Sequence, residues 1–198
     1  MIYNNIDHLR KFLNVLDENP KQYVIHITII ARKKENPDLQ STRHIIKDYF
    51  ITSVSKFNKV EEEIKILSKT FNARVYINLN TKPLLNIRKT LINKVVEHFG
   101  QDVDVSLTGL LTSSVAEQNG KKRYFIVDCD TKNENIFYNI VNLLGDKIEQ
   151  IVNTPNEYHF ICNKFDTHKF IGQIKPSEIE FIEVKKNAFT LLYYDKRI

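Results

Sequence analysis

Apolar residues recur along this chain at two periods, and the switches between them lay out its elements. Ile6, Leu9, Leu13 and Leu16 fall at helical spacing until Asn19-Pro20 halts the run, which predicts an opening amphipathic helix. QYVIHITIIARK is β-branched and poor in charge, and it gives way to the polar segment KKENPD, so a strand and a turn follow. RHIIKDYFITSV, within residues 41–55, reads as a strand or a short helix. Val60, Ile64, Leu67 and Phe71 then form an apolar stripe, with Glu61, Glu62 and Glu63 near the end where the helix dipole favours them, and predict a helix over 58–70. ARVYINLN alternates Val75, Ile77 and Leu79 against Arg74, Tyr76, Asn78 and Asn80, the pattern of a strand over 73–79 with one buried face. A further helix begins near Pro83, with Ile87, Leu91, Val95 and Phe99 on one side.

In residues 101–122, SLTGLLTSSVAEQ is compatible with a short helix, and NGKK signals a turn before the next strand. RYFIVDCD then reads as a strand, NENIFYNIVNLLG as a helix carrying Ile136, Ile140 and Leu144 on one stripe, and YHFICN as another strand, together one βαβ-type unit. EIEFIEVKK and AFTLLYYD, joined across Lys186-Asn187, read as a closing pair of strands. The expected architecture is α+β: one compact domain over 1–198, with an N-terminal α/β lobe over 1–110 and a second lobe over 111–198. Strands 73–79, 123–129, 158–163 and at least one closing strand are expected in a single sheet, under helices 58–70 and 132–144.

Composition narrows the class without choosing a function. Apolar residues at 42% and charged residues at 27% describe a globular chain, and five Gly with five Pro leave no low-complexity linker. The first twenty residues are charged throughout and hold no apolar run of signal or membrane length, which predicts a cytoplasmic protein that does not enter a membrane. Cys129 and Cys162 each lie inside an apolar strand-like run and read as reduced, core-packed thiols. The net charge of +5 suits a phosphate-bearing partner. An Asn-, Lys- and Ile-rich chain is also what an AT-rich genome yields, so charge alone decides nothing.

The chemistry concentrates where strand geometry forces acidic groups together. Residues two apart on a strand point the same way, so Asp128 and Asp130 share a face while Val127 and Cys129 take the other. Two adjacent carboxylates repel, and the usual remedy is a divalent cation such as Mg2+; the same pair can also cap the helix starting near Asn133 or end the strand in solvent. His159 opens the next strand after the Pro155-Asn156 turn, where it can donate to a phosphate or sit as a satisfied core group. Lys121, Lys122 and Arg123 precede the acidic strand and are placed to meet a polyphosphate. Arg74 and Tyr76 share a strand face, an arrangement suited to stacking and phosphate contact on a single strand, and Arg43 adds charge to the same lobe.

FIVDCD, NEYHFI and LLYYD, in that order, resemble the three motifs of the archaeo-eukaryotic primase superfamily, including its small plasmid and phage members. The resemblance covers residues 125–195, with Glu157 where the family has a small residue. It implies an RRM-like (ferredoxin-like) sheet with helices on one face, and a primase-like nucleotidyltransferase that initiates or extends a strand on a single-stranded template. By this resemblance Asp128, Asp130 and Asp195 hold the catalytic Mg2+ or Mn2+, with Glu183 as an alternative third carboxylate. His159 contacts the incoming nucleotide, aided by Asn156, Arg123 and Lys122, and Arg74, Tyr76 and Arg43 meet nucleic acid. The implied partners are single-stranded DNA, nucleoside triphosphates and a separate helicase. A catalytically silent RRM-like module that binds nucleic acid or nucleotide, and a metal-dependent nuclease, are the alternatives.

Overall fold

The computed structural model describes residues 1–98, 106–118, 120 and 123–196. After a short strand β1 (Ile2–Asn4), the first apolar stripe folds as α1 (Ile6–Arg10) and α2 (Asn14–Glu18), joined by one turn of 3-10 helix. Ile6, Leu9, Phe12, Leu13 and Leu16 are buried, as the spacing required. Strands β2 (Tyr23–Arg32) and β3 (Arg43–Ile51) form a long antiparallel pair, so the ambiguous segment at 41–55 is a strand that leads into α3 (Val54–Thr70). Ser53 starts α3 by accepting a hydrogen bond from the Lys56 N–H at 3.1 Å, satisfying one of the open amides of the first turn. Next come β4 (Arg74–Asn78), the two-residue β5 (Lys82–Pro83), α4 (Leu84–His98) and α5 (Leu107–Glu117). Phe99, expected on the α4 stripe, lies outside the described residues.

The remaining chain supplies β6 (Tyr124–Cys129), α6 (Glu134–Leu144), β7 (Ile148–Thr154), β8 (Glu157–Asn163), α7 (Thr167–Gln173), β9 (Ile182–Lys185) and β10 (Phe189–Asp195). Helix α6 is bounded as its sequence dictates. The Asn133 side chain accepts from the Asn135 N–H, and Gly145 ends the helix at φ 48°, a backbone angle that glycine adopts at little cost.

The strands divide between two antiparallel sheets. One holds six strands in the order β1-β10-β4-β2-β3, with β5 beside β2; the other holds four, in the order β7-β8-β6-β9. Three sequence expectations are corrected by this pairing. Helix α6 leads into β7 rather than into the His159 strand, and β8 then returns antiparallel to β6. Strand β7 escaped the reading because a register shift between Ile148 and Gln150 breaks its alternation. The single sheet is two, since β4 belongs to the six-stranded sheet while β6, β8 and β9 pair together. The closing strands also part, with β10 inserted between β1 and β4 while β9 pairs with β6. Leu191, Leu192, Tyr193 and Tyr194 are all buried, the continuous apolar run of an interior strand rather than an edge.

The sheets meet along a seam fastened by two buried asparagines. Asn80, just past β4, accepts the N–H groups of Arg123 and Tyr124 at 2.8 and 2.9 Å and donates to the Tyr124 carbonyl. Asn5 donates to the carbonyls of Asn153 and Leu191. Ile126, Val152 and Ile161 join the core shared with the first sheet, while Val127, Cys129, Phe160 and Cys162 face the opposite way onto α6 and α7. By the period of two, Asp128 and His159 fall on the same side as Ile126 and Ile161, toward the first sheet. Both thiols are free and buried, and burial pushes Cys162 up to about 12.

Candidate functional site

Register alone brings the acidic and histidine motifs together. Asp128 of β6 pairs with His159 of β8 on one side and with Glu183 of β9 on the other, so the three side chains leave one face of the sheet as neighbours. Asp128 and His159 are 8% and 6% exposed, low enough that their charges need partners. Lys185, two residues after Glu183, bonds Asp128 Oδ2 and stands 3.4 Å from Glu183 Oε2. His159 Nδ1 shares a hydrogen bond with Thr190 Oγ1 at 2.9 Å, and its Nε2 lies 3.1 Å from Asp128 Oδ1. That second contact is a charge contact off the line of a hydrogen bond, and it leaves Asp128 Oδ1 buried with no donor.

The two motif aspartates respond oppositely to this setting. Burial raises Asp128, but His159 and the Lys185 ammonium more than offset it and hold the carboxyl at about 2. Asp130 is pushed up, first by burial and then by the charge of Asp128, while Lys185 and the Asn156 side chain only partly relieve it. A pair of carboxylates with diverging proton affinities is what one shared, crowded site produces.

These groups line one wall of a cleft of about 350 Å³ between the sheets. Arg32, Arg74 and Tyr76 of the first sheet line the other wall, and Pro155 and Asn156 of the β7–β8 hairpin close an end. Arg74 is not splayed toward solvent as a surface phosphate contact would be. It is 6% exposed, bonded to Glu35 at 2.5 Å and seated 5.5 Å over the Tyr194 ring. Burial works against its charge, but Tyr76 and Glu35 outweigh that and raise its proton affinity further. Glu35 also lies 3.8 Å from Arg32, so one carboxylate draws both cations of this wall toward it.

The other sequence-read residues scatter. Asp195 ends β10 opposite Ile2, with its N–H on Ser68, and is not among the residues lining the cleft, whereas Glu183 is. LLYYD runs into the six-stranded sheet, so the aspartate at its end is carried past the site rather than into it. Asn156 lines the cleft, whereas Arg123 opens on a different one and Arg43 lies exposed on β3. Lys121 and Lys122 lie outside the described residues. Lys185, Thr190 and Glu35 went unread. The Glu183-Val184-Lys185 spacing already places an acid and a base on one strand face, whereas Thr190 and Glu35 reach the site only through tertiary folding.

Among the described residues no group of three or more His, Cys, Asp or Glu is gathered to hold a metal ion. Among those residues, too, no helix is long and apolar enough to cross a membrane. Comparison of the chain with protein-family models, with curated proteins and with solved structures found no match in any of the three.

Proposed function

We propose that the cleft binds a nucleoside triphosphate with a divalent cation and adds the nucleotide to a strand on a single-stranded DNA template, as a primase-like nucleotidyltransferase. The observation that carries this reading is one cleft with Asp128, Asp130 and Glu183 on one wall and Arg32 and Arg74 on the other. Opposed acidic and basic walls suit a ligand that is polyanionic at one end and cation-bound at the other. The order of the four-stranded sheet, with β6 and β8 central and both helices on one face, supports an RRM-like (ferredoxin-like) reading of this lobe.

The residues present fit Mg2+ or Mn2+ in donor chemistry. Asp128 Oδ1 is buried without a donor, Asp130 is crowded by its neighbour, and both are hard oxygen ligands. Asp128 and Asp130 would hold the ion, with Glu183 beside them, and the bound cation would supply charge neutralisation at the phosphates. Lys185 neutralises Asp128 meanwhile, and its ammonium is within reach of the same space for phosphate contact. His159, oriented by Thr190, lines the cleft with its Nε2 beside Asp128, and Arg32 and Arg74 would contact the opposite side of the ligand.

A second reading, a nucleotide-binding module without turnover, is favoured by one observation: Lys185 and His159 already close on Asp128. Titration of ATP with and without Mn2+, on wild type and on Asp128→Ala/Asp130→Ala, tests the metal-dependent site. The proposal expects Mn2+ to tighten ATP binding in wild type only. Equal Mn2+-dependent affinity in both proteins overturns it.

A further inference from the structure

A second cleft, more spacious than the acidic one, lies away from it. It measures about 560 Å³, within the size range of small-ligand sites, and none of the acidic-cleft residues lines it. Most of its lining is polar, and the aromatic surface it offers comes from the half-buried Tyr23 and Tyr124, backed by the buried Leu79 and Phe12. Its rim is polar, with Asn14, Glu18 and Arg123 all exposed.

Several of these groups are left over after the fold has used what it needs. Arg123 spends its backbone N–H on Asn80, and among the described residues its guanidinium has no hydrogen-bond or ion-pair partner. The Asn14 amide is likewise unengaged among those residues. Phe12 and Tyr124 meet edge to face at 5.0 Å, and because Phe12 is buried the ring surface at this corner is that of the half-buried Tyr124. Burial pushes the Tyr124 phenol up, which keeps it a neutral hydrogen-bond donor.

We propose that this second cleft binds a nucleoside phosphate, with the base on the Tyr23 and Tyr124 rings, its edge read by Asn14 and Glu18, and the phosphate on Arg123. The tyrosine rings accept a base's π-face, a carboxylate and an amide match the N–H donors and the ring-nitrogen acceptors of its edge, and a guanidinium matches a phosphate. Among the described residues the rim holds one carboxylate, Glu18, which cannot by itself build a divalent-cation site, so the proposed binding needs no metal. The site goes beyond the function proposed for the acidic cleft and does not depend on it. The two are physically linked, however. The pairs Tyr124–Asn163 and Asp128–His159 belong to one β6–β8 ladder, four residues or roughly 13 Å apart.

The test is isothermal titration of the full chain with AMP in excess EDTA, which removes any metal-dependent contribution. Wild type should bind, and Arg123→Gln should weaken binding about tenfold or more. Arg123 is exposed and its backbone contact survives the change, so the variant folds. Asn14→Asp, which brings a second carboxylate to the rim, should weaken AMP as well, whereas Arg32→Gln in the acidic cleft should not. No binding to wild type at millimolar AMP overturns the inference. So does binding that Arg32→Gln abolishes and Arg123→Gln leaves intact. Because the readout is metal-free AMP, failure of Mn2+-dependent ATP binding at the acidic cleft would leave this result standing and is told apart from it.

Discussion

Replacing Lys185 with Met is the perturbation that bears hardest on the acidic cleft, because it keeps the aliphatic stem and removes only the charge facing Asp128. Asp128 would retain one off-line contact with His159 and two buried oxygens without a cation. Removing one partner of a fully buried ion pair costs about 3–5 kcal/mol. The Lys185 side chain is 30% exposed against 10% for Asp128, so water screens part of this interaction. A loss of about 2 kcal/mol follows, or roughly 4–8 °C in Tm for a chain of this size. Adding Asp128→Asn to the Lys185→Met variant removes the stranded charge and should restore most of that loss. The ammonium and a divalent cation compete for the same carboxylate, so Lys185→Met should also bind Mn2+ more tightly than wild type. Thermal denaturation of the four proteins of this cycle, with and without Mn2+, reads both effects. A Lys185→Met protein with wild-type Tm and wild-type response to Mn2+ would refute the reasoning.

Three further outcomes follow from the same geometry. Glu157 sits at φ 131°, where a side chain strains the backbone by about 1–3 kcal/mol, and its 3.7 Å ion pair with the exposed Lys132 offsets little of that, so Glu157→Gly should raise Tm by about 2–4 °C in differential scanning calorimetry. Asp128 is depressed from 3.8 to about 2, so its contribution is present above pH 3.8 and lost as pH falls toward 2; Asp128→Asn should flatten the acid limb of the stability curve in that window. His159→Ala strands the fully buried Thr190 hydroxyl, so it should cost about 2 kcal/mol in urea denaturation and weaken Mn2+-ATP binding about tenfold; a stability loss with unchanged affinity would make His159 purely structural.

The parts of the site that could be read from the sequence are those set by local geometry. The spacing of Asp128 and Asp130 and the turn before His159 are local features: both aspartates line one cleft, although Asp130 lies just past the end of β6, and Pro155-Asn156 turns the chain into β8. The face shared by Arg74 and Tyr76 held for the same reason, since both line the cleft. Strand direction did not follow, because an extra strand, β7, was hidden by its register shift and reverses the path into β8. Nor did the third carboxylate. LLYYD has the apolar run and terminal acid of a motif strand, but its sheet is chosen by pairing with β1 and β4, more than a hundred residues away in sequence. The Arg74–Glu35 pair was illegible on the same ground, since nothing local to the KKENPD turn marks Glu35 as a buried partner.

The most direct test of the acidic cleft is incorporation of labelled nucleotide on single-stranded DNA, with and without a primer, in Mg2+ or Mn2+, supplying ribo- and deoxyribonucleoside triphosphates separately. Wild type should show metal-dependent incorporation with at least one nucleotide class. That incorporation should be lost in Asp128→Asn/Asp130→Asn and retained in Asp195→Asn, whose side chain lies outside the cleft. Equal incorporation by wild type and the Asp128/Asp130 variant, or none by wild type that binds Mn2+-ATP, would contradict the proposed function.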